Sequence, residues 1–209
     1  MTSIEKKKIL NFLLKKKSTF SFAQIKELEI INKNKNFRYM DDKEISLVMI
    51  LFYFEENRKK LASQNIAIKK IKSTTLKIKY FLQYQLELDL KNKEFLKKVF
   101  LFLFSEKNIS KILDYFFSTS STMWNLSGDT ATDFNYYSKR LILCSVYSKI
   151  FIKLLNLPSY SKNLILQDIE KSLDQVKQFN IIKSKICSND ILSIFKNFNF
   201  NTKEQGRGF

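Results

Sequence analysis

Glycine and proline are so rare in this chain that polar side chains must separate its structural elements. The 209 residues contain three Gly and one Pro, the residue types that most often mark turns and loops. Clusters of Lys, Asn, Asp and Ser divide the sequence into pieces of about 10 to 25 residues. In several pieces apolar residues recur at helical spacing, for example at Ile109, Ile112, Leu113, Phe116 and Phe117. The pattern predicts an all-α protein of about nine helices.

The same composition excludes the common kinds of catalytic site. Glycine occurs only at Gly128, Gly206 and Gly208, so neither a dinucleotide-binding fingerprint nor a phosphate-binding P-loop can be formed. Histidine is absent, which removes Ser-His-Asp and Cys-His nucleophiles and the usual histidine-containing metal sites. Cys144 and Cys187 have no second pair and are interpreted as reduced thiols. We expect a protein that is not an enzyme and that uses no cofactor and no metal.

No stretch of the sequence has the pattern of a membrane span or an export signal. The longest apolar run, residues 47–54, is far shorter than the ~20 residues that a transmembrane helix needs. The N-terminal lysines flank a short apolar piece without a cleavage site of small residues. The sequence therefore predicts a cytoplasmic protein.

Basic charge is concentrated in the N-terminal half. The formal net charge is +17, and residues 1–100 hold 23 of the 37 basic side chains but 11 of the 20 acidic ones. Lysine accounts for 33 of the basic residues. This excess fits either an A/T-rich genome or attraction to an anionic lipid surface or nucleic acid, and the sequence leaves both open.

Residues 108–155 predict two helices that meet at a tight corner. Asn108 is a candidate N-cap of the first helix, and Gly128 is the expected C′ residue at its end. Thr130 and Asp133 have the spacing of a capping box for the second helix, residues 133–155. This second helix is apolar on nearly every face, which predicts a central position or a subunit interface. We expect it to form a dimer interface together with a helix over residues 164–179.

The corner also carries a family signature. Its matching positions are Trp124, Gly128, Asp129, Thr132, Asp133, Asn135, Tyr137, Lys139 and Arg140. This spacing resembles the signature of the Coq-nine family, accessory lipid-binding proteins of ubiquinone (coenzyme Q) biosynthesis. Tyr136 stands where the family usually has Trp, and Ala131 where it has Ser. Resemblance of lower quality extends over residues 76–186.

The resemblance implies both a fold and a function. The fold is a TetR-repressor-like helical bundle, and the function is to present an isoprenoid lipid or quinone precursor to the di-iron demethoxyubiquinone hydroxylase (Coq-seven). A homodimer at the periphery of the inner membrane of a bacterium is implied as well. The corresponding regions are a helix-turn-helix-like region over residues 1–75, a lipid-binding and dimerisation domain over 76–188 and an amphipathic tail over 189–209.

The N-terminal region has few features of a DNA reader. A working helix-turn-helix needs a tight turn and a recognition helix that reaches the bases. Here the turn would be residues 32–36, without Gly, and only residues 37–40 remain before Asp41 and Asp42. We expect no specific nucleic acid. A TetR-type transcriptional regulator remains the alternative function, because lysines attract phosphate.

Three sets of residues are predicted to carry the function. The lipid cavity is predicted to be lined by Phe81, Tyr84, Phe100, Phe104, Leu113, Phe117, Leu143 and Tyr147. A partner surface with the composition of an interface hot spot is predicted at Met123, Trp124, Asp133, Tyr136 and Tyr137. A short membrane-interface helix is predicted to use Ile191, Leu192, Ile194, Phe195 and Phe198. Each set has a structural alternative, which is core packing for the cavity residues and Trp124, a helix-end role for Asp133 and docking on the bundle for the tail.

Overall fold

The structure is a computed structural model that describes residues 2–16, 19–130, 132 and 134–189. Over these residues it is helical and contains no β-strand, which confirms the all-α prediction. The α-helices are α1 (Ser3–Lys15), α2 (Glu29–Asn32), α3 (Asp42–Ser63), α4 (Thr74–Lys91), α5 (Lys93–Ser105), α6 (Ile109–Leu126), α7 (Phe134–Asn156) and α8 (Lys162–Asn189). Three short 3-10 helices span Phe22–Glu27, Lys35–Phe37 and Gln64–Ile66.

The chain divides into two units between Ile169 and Glu170, and the sites described below lie in the first. None of the described helices is both long enough and apolar enough to cross a membrane. Asn189, the first residue of the predicted amphipathic tail, is the last residue of α8. The five predicted membrane-binding residues that follow it lie outside the described residues.

Polar side chains begin several helices. Asp41 and Glu44 form a capping box at the start of α3, in which each side chain accepts a hydrogen bond from the other's backbone amide. Asn108 precedes α6 as expected, but the prediction that its side chain caps the helix is wrong. Its backbone (φ −91°, ψ 39°) lacks the extended conformation of a typical N-cap residue. Its amide instead donates to the carbonyl of Leu103 at 2.8 Å.

The N-terminal region contains only short helical pieces after α1. Residues 22–31 do not form one continuous helix, because Gln24 has non-helical dihedral angles (φ −133°, ψ 36°). Between Thr19 and Asp41, all of which the structure describes, the longest α-helix is the four-residue α2. A helix of one turn is too short to place several side chains in a DNA major groove.

The core is aromatic and forms where α7 packs against α4, α5 and α6. The ring of Phe151 lies 4.8 Å from that of Phe100 and 5.2 Å from that of Phe116, measured between centroids. The other face of α7 exposes more than half of Leu141 and of Ile152. The helix predicted over residues 133–155 is thus present, with one face in the core and an exposed face on which Leu141 and Ile152 lie among polar residues such as Ser145 and Lys149.

Candidate functional site

The corner between α6 and α7 begins with a Schellman motif at the end of α6. Gly128 has a φ of +85°, in the left-handed region that favours glycine. Its amide donates to the carbonyl of Asn125, and the amide of Asp129 donates to that of Trp124, both at 3.1 Å. These two bonds satisfy carbonyls at the helix end. The prediction that Gly128 is the C′ residue is confirmed.

A buried arginine holds the corner together. Arg140 on α7 is 1% exposed. Its guanidinium donates to Asp129 Oδ2 at 3.0 Å, Tyr136 O at 2.9 Å, Asn125 Oδ1 at 2.7 Å and Ser121 Oγ at 3.1 Å. A buried charge is tolerated only when it is paired and hydrogen-bonded. Here one buried carboxylate and three neutral oxygens meet both conditions.

Lys139 and Trp124 close the outer side of the same corner. The ammonium of Lys139 lies 2.8 Å from Asp129 Oδ1 and 5.5 Å from the centre of the Trp124 ring system. The indole nitrogen of Trp124 donates to the backbone carbonyl of Lys139 at 3.0 Å. Signature positions at the end of α6 and in α7 are therefore partners of one another. These contacts hold the two helices at a fixed angle to each other.

The aromatic side chains of the corner differ in exposure. Tyr136 is half-buried, and the guanidinium carbon of Arg140 lies 3.4 Å from its ring centre. The ring of Tyr137 meets that of Tyr136 edge-on at 5.0 Å and is 58% exposed. Met123 is fully buried and Trp124 is half-buried, so each supports the surface from within. Asp133 lies outside the described residues.

The eight residues predicted to line a lipid cavity differ in exposure. Four are buried in the core, namely Phe81, Phe100, Leu143 and Tyr147. Phe104 and Leu113 are more than half exposed, and Tyr84 and Phe117 are half-buried. Among the eight, Phe117 lines a groove that the structure shows on the surface.

That groove lies between α1, α3 and α6 and has a volume of about 770 Å³. Its apolar walls are formed by Val48, Leu51, Phe52, Phe54, Tyr115 and Phe117. Charged side chains also line it, namely Lys6, Glu55, Arg58, Lys111 and Asp114. The volume is within the range of small-molecule sites, which are concave and mostly apolar with a few polar groups.

A buried carboxylate lies on the core side of the groove wall. Asp89 accepts hydrogen bonds from Tyr147 Oη at 2.6 Å, Tyr115 Oη at 3.2 Å and Gln85 Nε2 at 3.0 Å. Burial raises the pKa of Asp89 to about 7, although the three hydrogen bonds act in the opposite direction. Burial and the charge of Asp89 likewise raise the pKa of Tyr115 and Tyr147. The groove wall at Tyr115 is thus linked to a carboxyl group that titrates near neutrality.

Six polar side-chain atoms at buried positions lack a hydrogen-bond partner among the described residues. They are Tyr53 Oη, Asn57 Nδ2, Asn57 Oδ1, Gln85 Oε1, Thr119 Oγ1 and Ser120 Oγ. Such atoms are usually satisfied by ordered water when they are buried. The interior of the first unit is therefore polar in this region, and Tyr147, predicted as an apolar lining residue, belongs to a hydrogen-bond network.

The described residues thus form a helical bundle with a groove lined by both apolar and charged side chains and a corner held by buried hydrogen bonds. The sequence model of the COQ9 family matches residues 109–180. The matched segment starts at the first residue of α6 and includes the whole corner. This match supports the assignment of the chain to the COQ9 family and agrees with the resemblance of residues 124–140 to the Coq-nine signature. The family is linked to ubiquinone biosynthesis, in which it is an accessory protein rather than a catalyst. No significant match to a curated protein was found.

Proposed function

We propose that this protein is a non-enzymatic, lipid-binding accessory protein of ubiquinone biosynthesis. In this role it holds a polyprenyl quinone intermediate and presents it to the di-iron demethoxyubiquinone hydroxylase. The observation that carries the proposal is the COQ9 match over the α6–α7 corner. The groove supports it, because an insoluble isoprenoid chain needs an apolar surface outside the bilayer.

The groove is the proposed lipid site. The rings of Phe54 on α3 and Tyr115 on α6 stack at 4.2 Å between centroids, and Phe52 and Phe117 also line the groove, which supplies aromatic surface for an apolar chain. Arg58 donates to Ser118 Oγ at 3.1 Å, so its guanidinium is held beside the groove. The arrangement suits a ligand with a long apolar part and a polar head.

The first prediction is that the purified protein retains lipid in this groove and shows no turnover by itself. Thr122, half-buried in the groove wall, allows a blocking substitution. Thr122→Trp is expected to fill the groove and to reduce lipid occupancy severalfold in native mass spectrometry. Ser110→Trp on the exposed side of α6 is the matched control and is expected to retain wild-type occupancy. Carriage is ruled out if no lipid co-purifies and none can be loaded, and the groove is ruled out if the two variants carry equal lipid.

The corner is the proposed surface for the hydroxylase. Tyr137, with the edges of Trp124 and Tyr136, presents large aromatic area on a framework that Arg140 fixes. Aromatic side chains of this kind dominate binding energy at protein interfaces. Asp133 completes the proposed set.

The second prediction concerns Tyr137. Tyr137→Lys is expected to weaken the complex with the hydroxylase by at least ~2 kcal/mol, or about thirtyfold, because it removes an exposed hot-spot ring. Leu101→Lys on α5 introduces the same charge at a residue of comparable exposure and is expected to bind as the wild type does. Titration calorimetry with the purified hydroxylase measures both, and circular dichroism checks that helicity is unchanged. Equal affinity for Tyr137→Lys and wild type would remove the corner from the proposal.

The proposal also includes a homodimer and a peripheral location. The two exposed aliphatic side chains of α7, Leu141 and Ile152, support a second copy of the chain as their cover. We also propose that this cytoplasmic protein attaches to an inner membrane through residues 189–209.

A DNA-binding regulator is not proposed. Residues 32–40, all of which the structure describes, are where the turn and the recognition helix would lie, and the 3-10 helix Lys35–Phe37 is too short to serve as that helix.

A further inference from the structure

Residues 57–86 contain no acidic side chain. Between Glu56 and Glu87 the sequence holds eight basic residues, which are Arg58, Lys59, Lys60, Lys69, Lys70, Lys72, Lys77 and Lys79. Lys59 is paired with Glu55 and Glu56, which precede the segment, and Lys69, Lys70 and Lys72 lie further along it. A local excess of charge of one sign attracts an anionic partner.

The centre of this segment is the connection between α3 and α4, residues 64–73, which is anchored from inside. Ile68 is buried, and the hydroxyl of Tyr80 on α4 donates to Gln64 Oε1 at 3.1 Å. Two turns are closed by backbone hydrogen bonds. The amide of Ala67 donates to the carbonyl of Gln64 at 3.0 Å, and the amide of Ile71 donates to the carbonyl of Ile68 at 2.9 Å. The backbone of the α3–α4 connection is therefore held in a defined conformation, which determines which of its side chains are exposed.

Two large aliphatic side chains stand among the outward lysines. Ile66 is 75% exposed and Leu76, in the first turn of α4, is 56% exposed. Lys69, Lys70 and Lys72 are exposed, and none of them is in an ion pair within the part of the chain that the structure describes. Aliphatic residues beside basic ones are the composition of surfaces that lie in the interface of a bilayer.

We propose that the α3–α4 connection docks on an anionic lipid bilayer. Ile66 and Leu76 enter the boundary between headgroups and acyl chains, and Lys69, Lys70 and Lys72 face the lipid phosphates. Nucleic acid fits less well, because phosphate contacts use the basic residues and leave both aliphatic side chains in water. The connection shares no residue with the corner, the groove or residues 189–209, so its membrane binding adds to the proposed function and is tested separately from it.

Co-flotation of the full-length protein with vesicles tests this proposal. Vesicles of phosphatidylcholine mixed with phosphatidylglycerol are compared with vesicles of phosphatidylcholine alone. One variant replaces Lys69, Lys70 and Lys72 with Gln, and its control of equal net charge replaces Lys8, Lys33 and Lys35 with Gln. A second variant carries Ile66→Ser and Leu76→Ser, and its control carries Ile4→Ser and Leu101→Ser, two residues that are each 69% exposed.

Each variant of the connection is expected to bind anionic vesicles at least about tenfold more weakly than its control. Basic residues near an anionic surface and aliphatic side chains in its interface both contribute to the free energy of membrane binding. All replaced residues are exposed, so circular dichroism is expected to show unchanged helicity. Equal flotation of variants and controls, or no flotation of the wild type on anionic vesicles, would overturn the proposal. Loss of duplex DNA binding in the lysine variant with unchanged flotation would assign the surface to nucleic acid instead. Lipid occupancy in native mass spectrometry is read separately, so failure of one proposal leaves the other measurable.

Discussion

Asp89→Asn is expected to stabilise the protein above about pH 7 and to have little effect near pH 4. In the folded protein Asp89 is fully buried and its pKa is raised from 3.8 to about 7. Above pH 7 the carboxylate is ionised in both the folded and unfolded states, and the folded state bears the full cost of burying the charge. A difference of about 3 pKa units corresponds to about 4 kcal/mol of free energy of unfolding.

The direction follows from the raised pKa. Protonated Asp89 is favoured in the folded state, so its contribution to stability is fully present below the unfolded pKa of 3.8 and is lost as the pH rises through about 7. Asparagine has no such dependence, and its amide can donate to Gln85 Oε1, which has no hydrogen-bond partner among the described residues. The stability difference between variant and wild type is therefore expected to grow from about pH 4 to about pH 7 and then to level off.

Urea denaturation across this pH range measures the difference, and Asp168→Asn supplies a control of opposite sign. Burial alone would raise the pKa of Asp168, but hydrogen bonds from Lys153 and Tyr160 outweigh it and lower the pKa. Asp168 therefore stabilises the fold above its unfolded pKa, and its replacement is expected to destabilise the protein at pH 7. Parallel pH profiles for wild type and Asp89→Asn would contradict a buried, titrating carboxyl group.

Local sequence signals were sufficient to predict the helices around the corner. Apolar spacing from Ile109 onward and a lone glycine at position 128 predict α6 and its end, since both depend on residues within a few positions. The start of α7 at Phe134 follows the predicted capping site. The same local reasoning failed at Asn108, where the backbone conformation determines whether a side chain can reach a free amide.

Long-range contacts explain what the sequence did not predict. Asp89, Tyr115 and Tyr147 are on three different helices, and periodicity indicates which face of a helix is buried but not which neighbour it meets. For the same reason the eight predicted cavity residues are divided between core and surface. Of these eight residues, Phe117 alone lines the groove formed by α1, α3 and α6. The sequence did contain one indication that Arg140 has a structural role, because arginine is rare in this chain and accounts for four of its 37 basic residues. A planar guanidinium serves several acceptors at once, which the ammonium of a lysine does less well.

Asp129→Ala is expected to destabilise the protein by about 3 to 5 kcal/mol, because it leaves a buried guanidinium without its carboxylate. The side chain of Asp129 is 5% exposed and that of Arg140 is 1% exposed, so water cannot replace the lost partner. Lys139→Met removes the partially exposed member of the same cluster and is expected to cost no more than ~1 kcal/mol. Urea denaturation followed by circular dichroism gives each value.

A double-mutant cycle separates this pairing from the size of the cavity that each change leaves. If Asp129 and Arg140 stabilise the corner as a pair, Asp129→Ala combined with Arg140→Met costs less than the sum of the single changes, by roughly 1 to 3 kcal/mol. Additive losses, or a loss below ~1 kcal/mol for Asp129→Ala, would mean that the neutral acceptors around Arg140 suffice. Because Arg140 also lies against the ring of Tyr136, the weakened corner is expected to lose affinity for the hydroxylase even where the chain remains folded. Tyr137→Lys, in contrast, is expected to lose that affinity at unchanged stability, so the two variants separate the framework of the corner from the surface that it presents.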